Sequence, residues 1–335
     1  MRIAFPSYFN NFHCIAAACP DSCCKEWAVD VDPRAAEFYR QLPGDLGDRL
    51  RAVLKDTPDG TQMEIENGRC PMWRQDGLCR IQAELGHDAL CKTCRDFPRL
   101  RHDYGDFVEL GLELSCPEAA RLILNSPAFF WEYREEDGGE TPEYDPEIMS
   151  VLLQSREQAL RFLNDTHYCV SEALAILLLY GHTVQGVLDG GEGLDLDPED
   201  CLTAAKSYAG QGDCGAVVDF FRKLEILTDE WQNRLCRAVG AICESETLRA
   251  MARYMVSRYW LQAVSDYDLV CRVKLTVVAC LLVGMLGSDP IQTAQLFSKE
   301  IENDPDNVEA ILDGAYTSPA LSDANLLGIL LAKKF

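Results

Sequence analysis

The 335 residues of this chain suffice for one large domain or two of ordinary size, and a hydrophobic fraction of 47% is enough to bury a sizeable core. The formal net charge of −23 would repel phosphate backbones, which argues against nucleic-acid binding through a broad basic face. Sixteen cysteines without a visible secretory signal argue against a disulfide-rich secreted protein, and they favour metal or redox chemistry in a reducing, cytoplasmic compartment.

Residues 1–130 are predicted to form a cysteine-rich α+β region. Alternation of apolar and polar residues predicts half-buried strands at 27–32 and 108–115, and residues 33–54 carry a helical pattern. Asp76-Gly77, within 70–81, is the strongest short-range signal for a hairpin. We therefore expect a small antiparallel sheet with helices and irregular metal-binding loops.

Residues 131–147 are acidic and contain proline and glycine, which predicts a solvated linker, and 189–200 is predicted to be a second loop. Residues 148–335 carry helical periodicity throughout and are expected to form an all-helical region that docks a substrate or partner. The predicted helices are 150–163, 171–180, 216–227, 230–243, 245–264, 268–286, 290–303 and 307–315.

The fold class is therefore predicted to be mainly α, with no Rossmann-type sheet, because no βαβ alternation is present. No transmembrane segment is expected either. The longest apolar run, 275–286, is too short to cross a bilayer and indicates a buried helix. The oligomeric state has no signature in the sequence.

Nine of the sixteen cysteines lie at or before Cys116, and they are the candidate metal ligands. Thiolates select zinc, copper(I) or iron–sulfur clusters. A C-x2-C pair places two sulfurs on one turn, and the Asp-Gly hairpin brings two more together from paired strands, so four thiolates are within reach. The nine candidates are Cys14, Cys19, Cys23, Cys24, Cys70, Cys79, Cys91, Cys94 and Cys116.

The identity of the metal stays open between a [4Fe-4S] cluster and zinc. The number of cysteines exceeds what one zinc needs, which favours a cluster or two centres, whereas His87 could complete a mixed zinc site or lie in a surface turn. Lys92, Arg95, Arg99 and Arg101 form a basic patch that could offset the charge of a four-thiolate site, bind a ligand carboxylate or phosphate, or simply lie in a solvated loop.

Four segments resemble the flagellin lysine-N-methylase family: CIAAACPDSCCKEW at 14–27, GLCRI at 77–81, ELG at 84–86 and LCKTCRDFPR at 90–99. Sparser matches follow at 253–254, 258–260 and 266–269. A broader family of iron- or zinc-chelating cysteine-cluster proteins shares Cys19, Cys23, Cys24, Cys70, Cys79 and Cys94, while Cys14, Cys91 and Cys116 are typical of the methylase branch.

The resemblance implies an enzyme that transfers a methyl group from S-adenosylmethionine to lysine ε-amines of flagellin, and that needs an oxygen-sensitive [4Fe-4S] cluster. The glycine-rich loop of a doubly wound methyltransferase is missing, and so is a C-x3-C-x2-C triplet, since Glu26 takes its third position. Either S-adenosylmethionine binds in a different way, or the chain does not use it. Our hypothesis for the first alternative is that S-adenosylmethionine chelates an open iron position while Arg95 or Arg99 holds its carboxylate.

Tyr267 and Asp268 are candidate catalytic residues for deprotonating the lysine amine, although Asp268 could equally cap a helix and Tyr267 fill a core. The alternative function is a non-catalytic iron–sulfur or zinc module. It would act as a redox sensor or a metal-stapled scaffold, with its helical region docking a partner.

Overall fold

The computed structural model of the chain describes residues 1–25, 27–58, 60–238, 240, 242–287 and 289–332. Two compact units interleave along the sequence. The cysteine unit comprises residues 12–100 and 116–119, and the helical unit comprises residues 1–11, 101–115 and 120–335. These bounds differ from the predicted contiguous regions 1–130, 131–147 and 148–335, because the helical unit begins with the N-terminal strand.

The predicted fold class is confirmed. The chain is mainly helical, contains a small antiparallel sheet, ends in an all-helical region and shows no Rossmann-type sheet within the described residues. In the cysteine unit, the three-stranded antiparallel sheet has the order β2 (Val29–Val31), β4 (Gly60–Met63) and β3 (Leu54–Thr57).

The helical pattern at 33–54 forms two helices, α1 (Pro33–Gln41) and α2 (Gly44–Val53). Pro43 separates them because a proline disfavours the helical conformation of the residue before it, and Leu42 is extended. Two shorter helices, α3 (Arg80–Leu85) and α4 (Lys92–Asp96), follow the hairpin and the first cysteine of the C-x2-C pair.

The sheet of the helical unit is mixed. Strand β1 (Arg2–Pro6) lies between β6 (Phe107–Leu112), with which it is parallel, and β7 (Trp131–Glu135), with which it is antiparallel, and β5 (Arg99–Asp103) lies beside β6. Parallel pairing needs a long connection, and the 100 residues between β1 and β6 supply it. Strand β7 takes the first five residues of the predicted linker, 131–147.

The predicted helices are present with shifted ends, and α3, α4, α5, α8 and α15 were not predicted. The predicted helix 230–243 ends at Cys236, and residues 239 and 241 lie outside the described residues. From α5 onward the helices are Pro117–Leu124, Pro146–Asn164, Val170–Leu188, Pro198–Ala205, Cys214–Phe221, Asp229–Cys236, Glu246–Tyr259, Val270–Met285, Pro290–Phe297, Pro305–Thr317 and Asp323–Leu330 (α5 to α15).

Helix α12 is the centre of the helical unit, and every one of its residues is buried. It contains most of the run 275–286, which was predicted to be a buried helix. Helix α7 packs against it closely, since a Cβ added at Gly181 would lie 2.9 Å from Val273. By length and composition α7 could also cross a membrane, but 61% of its apolar window is buried inside the structure, as in a core helix.

Five of the helices in the described part of the chain begin with an aspartate followed by proline. The aspartate side chain accepts hydrogen bonds from free backbone N–H groups of the first turn, and proline at the next position loses no helical hydrogen bond. The five N-caps are Asp32, Asp145, Asp197, Asp289 and Asp304.

A buried ion pair joins the mixed sheet to α6. The Arg156 guanidinium donates to both carboxylate oxygens of Glu109, at 2.6 and 2.8 Å, and both side chains are about 95% buried. The guanidinium also lies 4.8 Å from the centre of the Trp131 ring. Two hydrogen bonds and a cation–π contact thus compensate the desolvation of the two charges.

Replacing one member of this pair should destabilise the fold strongly. Arg156→Met leaves the Glu109 carboxylate buried without its partner, so we expect the free energy of unfolding to fall by about 3–5 kcal/mol in urea denaturation followed by circular dichroism. The double variant Glu109→Leu/Arg156→Met should recover much of that loss. Arg101→Met, at an exposed pair with Asp103, is the control and should change stability by under about 1 kcal/mol. An equal loss of unfolding free energy in Arg156→Met and Arg101→Met would contradict this account.

Candidate metal centre

Backbone pairing places cysteines that are distant in sequence side by side. The Cys70 N–H donates to the Cys24 carbonyl oxygen at 2.8 Å, and Lys25 and Arg69 form an isolated β-bridge next to them. On the far side of Cys70, the hairpin predicted at Asp76-Gly77 is confirmed. Arg74 N–H donates to the Leu78 carbonyl oxygen across the turn, and Trp73 pairs with Cys79.

Six cysteines form what we call the central thiol group, and several of them belong to the hydrophobic core of the cysteine unit. Their thiols are close enough to shift one another's pKa. The members are Cys23, Cys24, Cys70, Cys79, Cys91 and Cys94.

Hydrogen bonding divides the central thiol group into donors and acceptors. A hydrogen bond from the Cys24 thiol lowers the pKa of Cys23 to about 7 and also lowers the pKa of Cys70, whereas the pKa of Cys24 itself is raised. In the same way, a hydrogen bond from the Cys94 thiol lowers the pKa of Cys91 to about 7. Since the thiolate is the metal-binding form, these contacts favour the ligand state at three positions.

Three further cysteines, Cys14, Cys19 and Cys116, form the outer thiol group. Burial raises the pKa of Cys116 to about 11, and the neighbouring charges of Cys19 and Cys14 add to the increase. Burial also raises the pKa of Cys19, which interacts with both Cys14 and Cys23 and therefore connects the outer group to the central one. Cys14 is exposed.

The thiol contacts are pairwise. Over the ranges of the chain that the structure describes, no three or more His, Cys, Asp or Glu side chains are arranged to hold one metal ion. The donor set nevertheless fits a soft centre in type and number, because more than four thiols share one unit and three of them favour the thiolate. A centre bound here would require some of these side chains to turn towards a common point.

Asp32 fixes the position of the C-x2-C turn. Its carboxylate caps α1 by accepting from Ala35 N–H at 3.1 Å, and it also accepts from Lys92 N–H, between the two cysteines, at 2.7 Å. The Tyr39 hydroxyl makes a second link by donating to the Ala89 carbonyl oxygen at 2.8 Å. These contacts hold the backbone on both sides of Cys91, and so the start of α1 and its Tyr39 position the turn that leads to Cys94.

Arg95 and Arg99, predicted to hold a cofactor carboxylate, lie in the same unit as the thiols. The Arg95 Nε is 3.3 Å from an Asp96 carboxylate oxygen, and the Arg99 guanidinium lies 5.1 Å from the centre of the Phe12 ring. Both guanidinium groups are at least partly accessible. His87 is exposed in a short 3-10 helix, as expected for the surface alternative. The cofactor role of the two arginines stays a prediction.

Tyr267 and Asp268, the predicted catalytic candidates, lie in the helical unit. Tyr267 is 46% exposed with a φ of 60°, so it does not fill a core. The Asp268 carboxylate accepts from the Tyr316 hydroxyl at 2.5 Å and from Cys271 N–H at 3.4 Å, in the first turn of α12. The second contact is that of a helix cap, one of the two roles foreseen for Asp268, and its catalytic role stays a prediction.

Two residues that shape this site, Asp32 and Tyr39, were not among the candidates predicted from the sequence. Asp32 could have been found, since an aspartate before Pro33 at the start of a helical pattern is an N-cap signal. Tyr39 carried no such signal, because its hydroxyl contact with residue 89 depends on the tertiary fold. Glu26, the residue that interrupts the cysteine triplet, lies outside the described residues.

Comparison with known proteins finds three similar bacterial proteins. The chain is 33% identical over 134 residues to the flagellar biosynthetic protein FliU of Salmonella muenchen, an alignment that covers 38% of this chain and 79% of FliU. It is also 33% identical over 134 residues to the lysine-N-methylases of Salmonella choleraesuis and Salmonella typhimurium, but spans only 33% of the length of each. No family model and no solved structure matches the chain.

The double role of Asp32 predicts a pH-dependent stability. The backbone N–H of Lys92, and to a smaller extent that of Ala35, donates to the Asp32 carboxylate and holds its pKa below the usual range. A depressed pKa contributes stability that is complete above the unfolded pKa of about 4 and is lost as the pH falls through the folded value. Asp32→Ala should lower the free energy of unfolding by about 1–2 kcal/mol at pH 7, measured by urea denaturation.

Asp32→Asn is the matched variant, because it keeps an acceptor oxygen and removes the titrating charge. It should be less destabilised than Asp32→Ala at pH 7, and the difference between wild type and Asp32→Asn should shrink as the pH falls below about 4. A difference that stays constant from pH 7 to pH 3 would refute the assignment.

Proposed function

The chain belongs to the family of the flagellar biosynthetic protein FliU, and from that membership we propose that it is a protein-lysine N-methyltransferase with an iron–sulfur centre. The observation that carries the reaction is the 33% identity to two lysine-N-methylases. The proposed methyl donor is S-adenosylmethionine, the proposed substrate is flagellin or another lysine-bearing protein, and the proposed compartment is the cytoplasm.

The central thiol group supports the proposed [4Fe-4S] centre. Thiolates are the ligands of such clusters, and Cys23, Cys70 and Cys91 are the positions where hydrogen bonding favours the thiolate. The charges of neighbouring thiolates act on Cys79 and Cys94, and either of these two cysteines could complete a set of four ligands. The outer thiol group could serve a second centre. A bound cluster with one open iron position would supply a Lewis acid for the amino and carboxylate groups of S-adenosylmethionine.

Methyl transfer needs a neutral lysine amine. The nitrogen lone pair attacks the methyl carbon, the new C–N bond forms as the C–S bond breaks, and the C–S electron pair stays on sulfur. The product sulfur is a neutral thioether, and the proton lost from nitrogen passes to a base or to water. In the proposed site, Arg95 or Arg99 pairs with the donor's carboxylate and fixes its orientation. Tyr267 and Asp268 remain the proposed catalytic residues.

Metal analysis tests the centre first. After anaerobic purification we expect about four irons and four acid-labile sulfides per chain, with broad visible absorption that bleaches in air. Stoichiometric zinc without sulfide would support the alternative, a metal-stapled scaffold, and would remove the centre of the proposal.

Cysteine substitutions then connect the centre to the reaction. Alanine at Cys23, Cys79, Cys91 or Cys94 should abolish both iron binding and transfer of labelled methyl groups to flagellin. Cys236→Ala and Cys243→Ala are the matched controls, because these two cysteines are exposed and belong to the helical unit, and both variants should retain iron and activity. Iron-loaded wild type that transfers no methyl group would favour a redox-sensing module instead.

A further inference from the structure

The helical unit contains a cavity of about 640 Å³ that none of the predicted sites uses. It is lined by polar residues of α6, by the segment 194–198 at the start of α8 and by Tyr180 of α7. All of these residues belong to the one unit, so the cavity is complete within it.

Tyr180 contributes an unpaired hydroxyl to this cavity. The residue is 1% exposed, and its ring packs at 5.2 Å from Phe162 and 6.3 Å from Trp260. Among the described residues, none forms a hydrogen bond with the hydroxyl. Burial raises the pKa of Tyr180 to about 12, and the two charges that act on it, Asp195 and Arg161, both line the cavity. A hydroxyl that lines a cavity and has no protein partner is available to a ligand.

The cavity carries an excess of negative charge. Its cation, Arg161, is compensated by Glu157, whose carboxylate oxygen lies 2.6 Å away. Asp197 caps α8 through Glu199 N–H and Asp200 N–H but has no cationic partner within the described ranges, and Asp195 makes no ion pair there either. Two carboxylates are thus left to attract a cation.

The same cavity also has an apolar side. Leu194, Leu196 and Pro198 alternate with the two aspartates along the wall, and all three are half-buried. A ligand that matches such a surface has an apolar stem and a cationic end that donates hydrogen bonds. A lysine side chain has this chemistry, with four methylene groups and an ammonium that has three donors.

We propose that this cavity binds a lysine side chain of the protein substrate, with the ammonium between Asp195, Asp197 and the Tyr180 hydroxyl. The identification of the ligand as a protein substrate rests on the proposed function, whereas the binding of lysine rests on the cavity alone. A substrate with several lysines would be held here by one of them, and Asp195 and Tyr180 would be specificity-determining residues.

Fluorescence anisotropy on the full chain tests the site directly. The probe is a fluorescein-labelled peptide of alternating lysine and serine, and its counterpart carries glutamine in place of lysine. We expect Asp195→Asn to weaken binding of the lysine peptide about threefold to fivefold, and Tyr180→Phe, which removes only the hydroxyl, to weaken it about threefold. Affinity should fall as salt is added, and the glutamine peptide should not bind.

Glu192→Gln is the matched control, since Glu192 is exposed on the same loop, makes the same charge change and does not line the cavity. It should leave the affinity unchanged. Equal weakening by Glu192→Gln and Asp195→Asn would reduce the effect to general charge attraction and overturn the site. Unchanged peptide binding by both Asp195→Asn and Tyr180→Phe would also overturn the site, provided that their circular dichroism spectra and melting temperatures match those of wild type.

Methylation assays separate this inference from the proposed function. A wild-type protein that transfers no methyl group, yet binds lysine peptide through Asp195 and Tyr180, would refute the proposed reaction and leave the binding site standing. Conversely, the wild type could be active while Asp195→Asn and Tyr180→Phe bind lysine peptide as wild type does and methylate with unchanged KM. That result would refute the binding site and leave the proposed reaction standing. If both hold, the cavity variants should raise KM and leave kcat nearly unchanged, because they affect binding and not the transfer step.

Discussion

The organisation of the cysteine unit depends on one carboxylate. Asp32 begins α1 and at the same time accepts from the backbone between Cys91 and Cys94, so a helix start and a potential ligand turn share one acceptor. The second constraint is the backbone hydrogen bond from Cys70 to Cys24, which places two other cysteines next to each other. Four of the central thiols are therefore positioned by main-chain contacts and one aspartate.

Some of the thiols are also part of the hydrophobic core of this unit. Cys70 and Cys91 are buried among Val29, Tyr39 and Leu50, and other cysteines pack against that core from its edge. A small unit has little apolar area to bury, so thiols that also fill volume serve two purposes. Substitution of such a cysteine changes packing as well as donor chemistry, which is why exposed cysteines elsewhere are the useful comparison.

Local patterns predicted most of this molecule, and long-range pairing accounts for the rest. Most of the longer helices, the hairpin at Asp76-Gly77 and the C-x2-C turn follow from spacing over a few residues. Asp197-Pro198 even marked the start of α8, although the acidic composition of 189–200 indicated only a loop. The parallel pairing of β1, the contact of Cys24 with Cys70 and the position of Tyr180 beside Asp195 join residues from separate segments, so no local pattern encodes them.

The interleaved topology also determines an order of events during synthesis. Strand β1, residues 2–6, pairs with strands that begin at residues 107 and 131. At ribosomal rates of roughly 5–20 residues per second, its first neighbour is made about 5 to 20 s later. Nearly all of the cysteine unit is synthesised in that interval. A nascent chain would thus hold this apolar strand without its partner strands, exposed to chaperones, until the segment that follows residue 100 has left the ribosome.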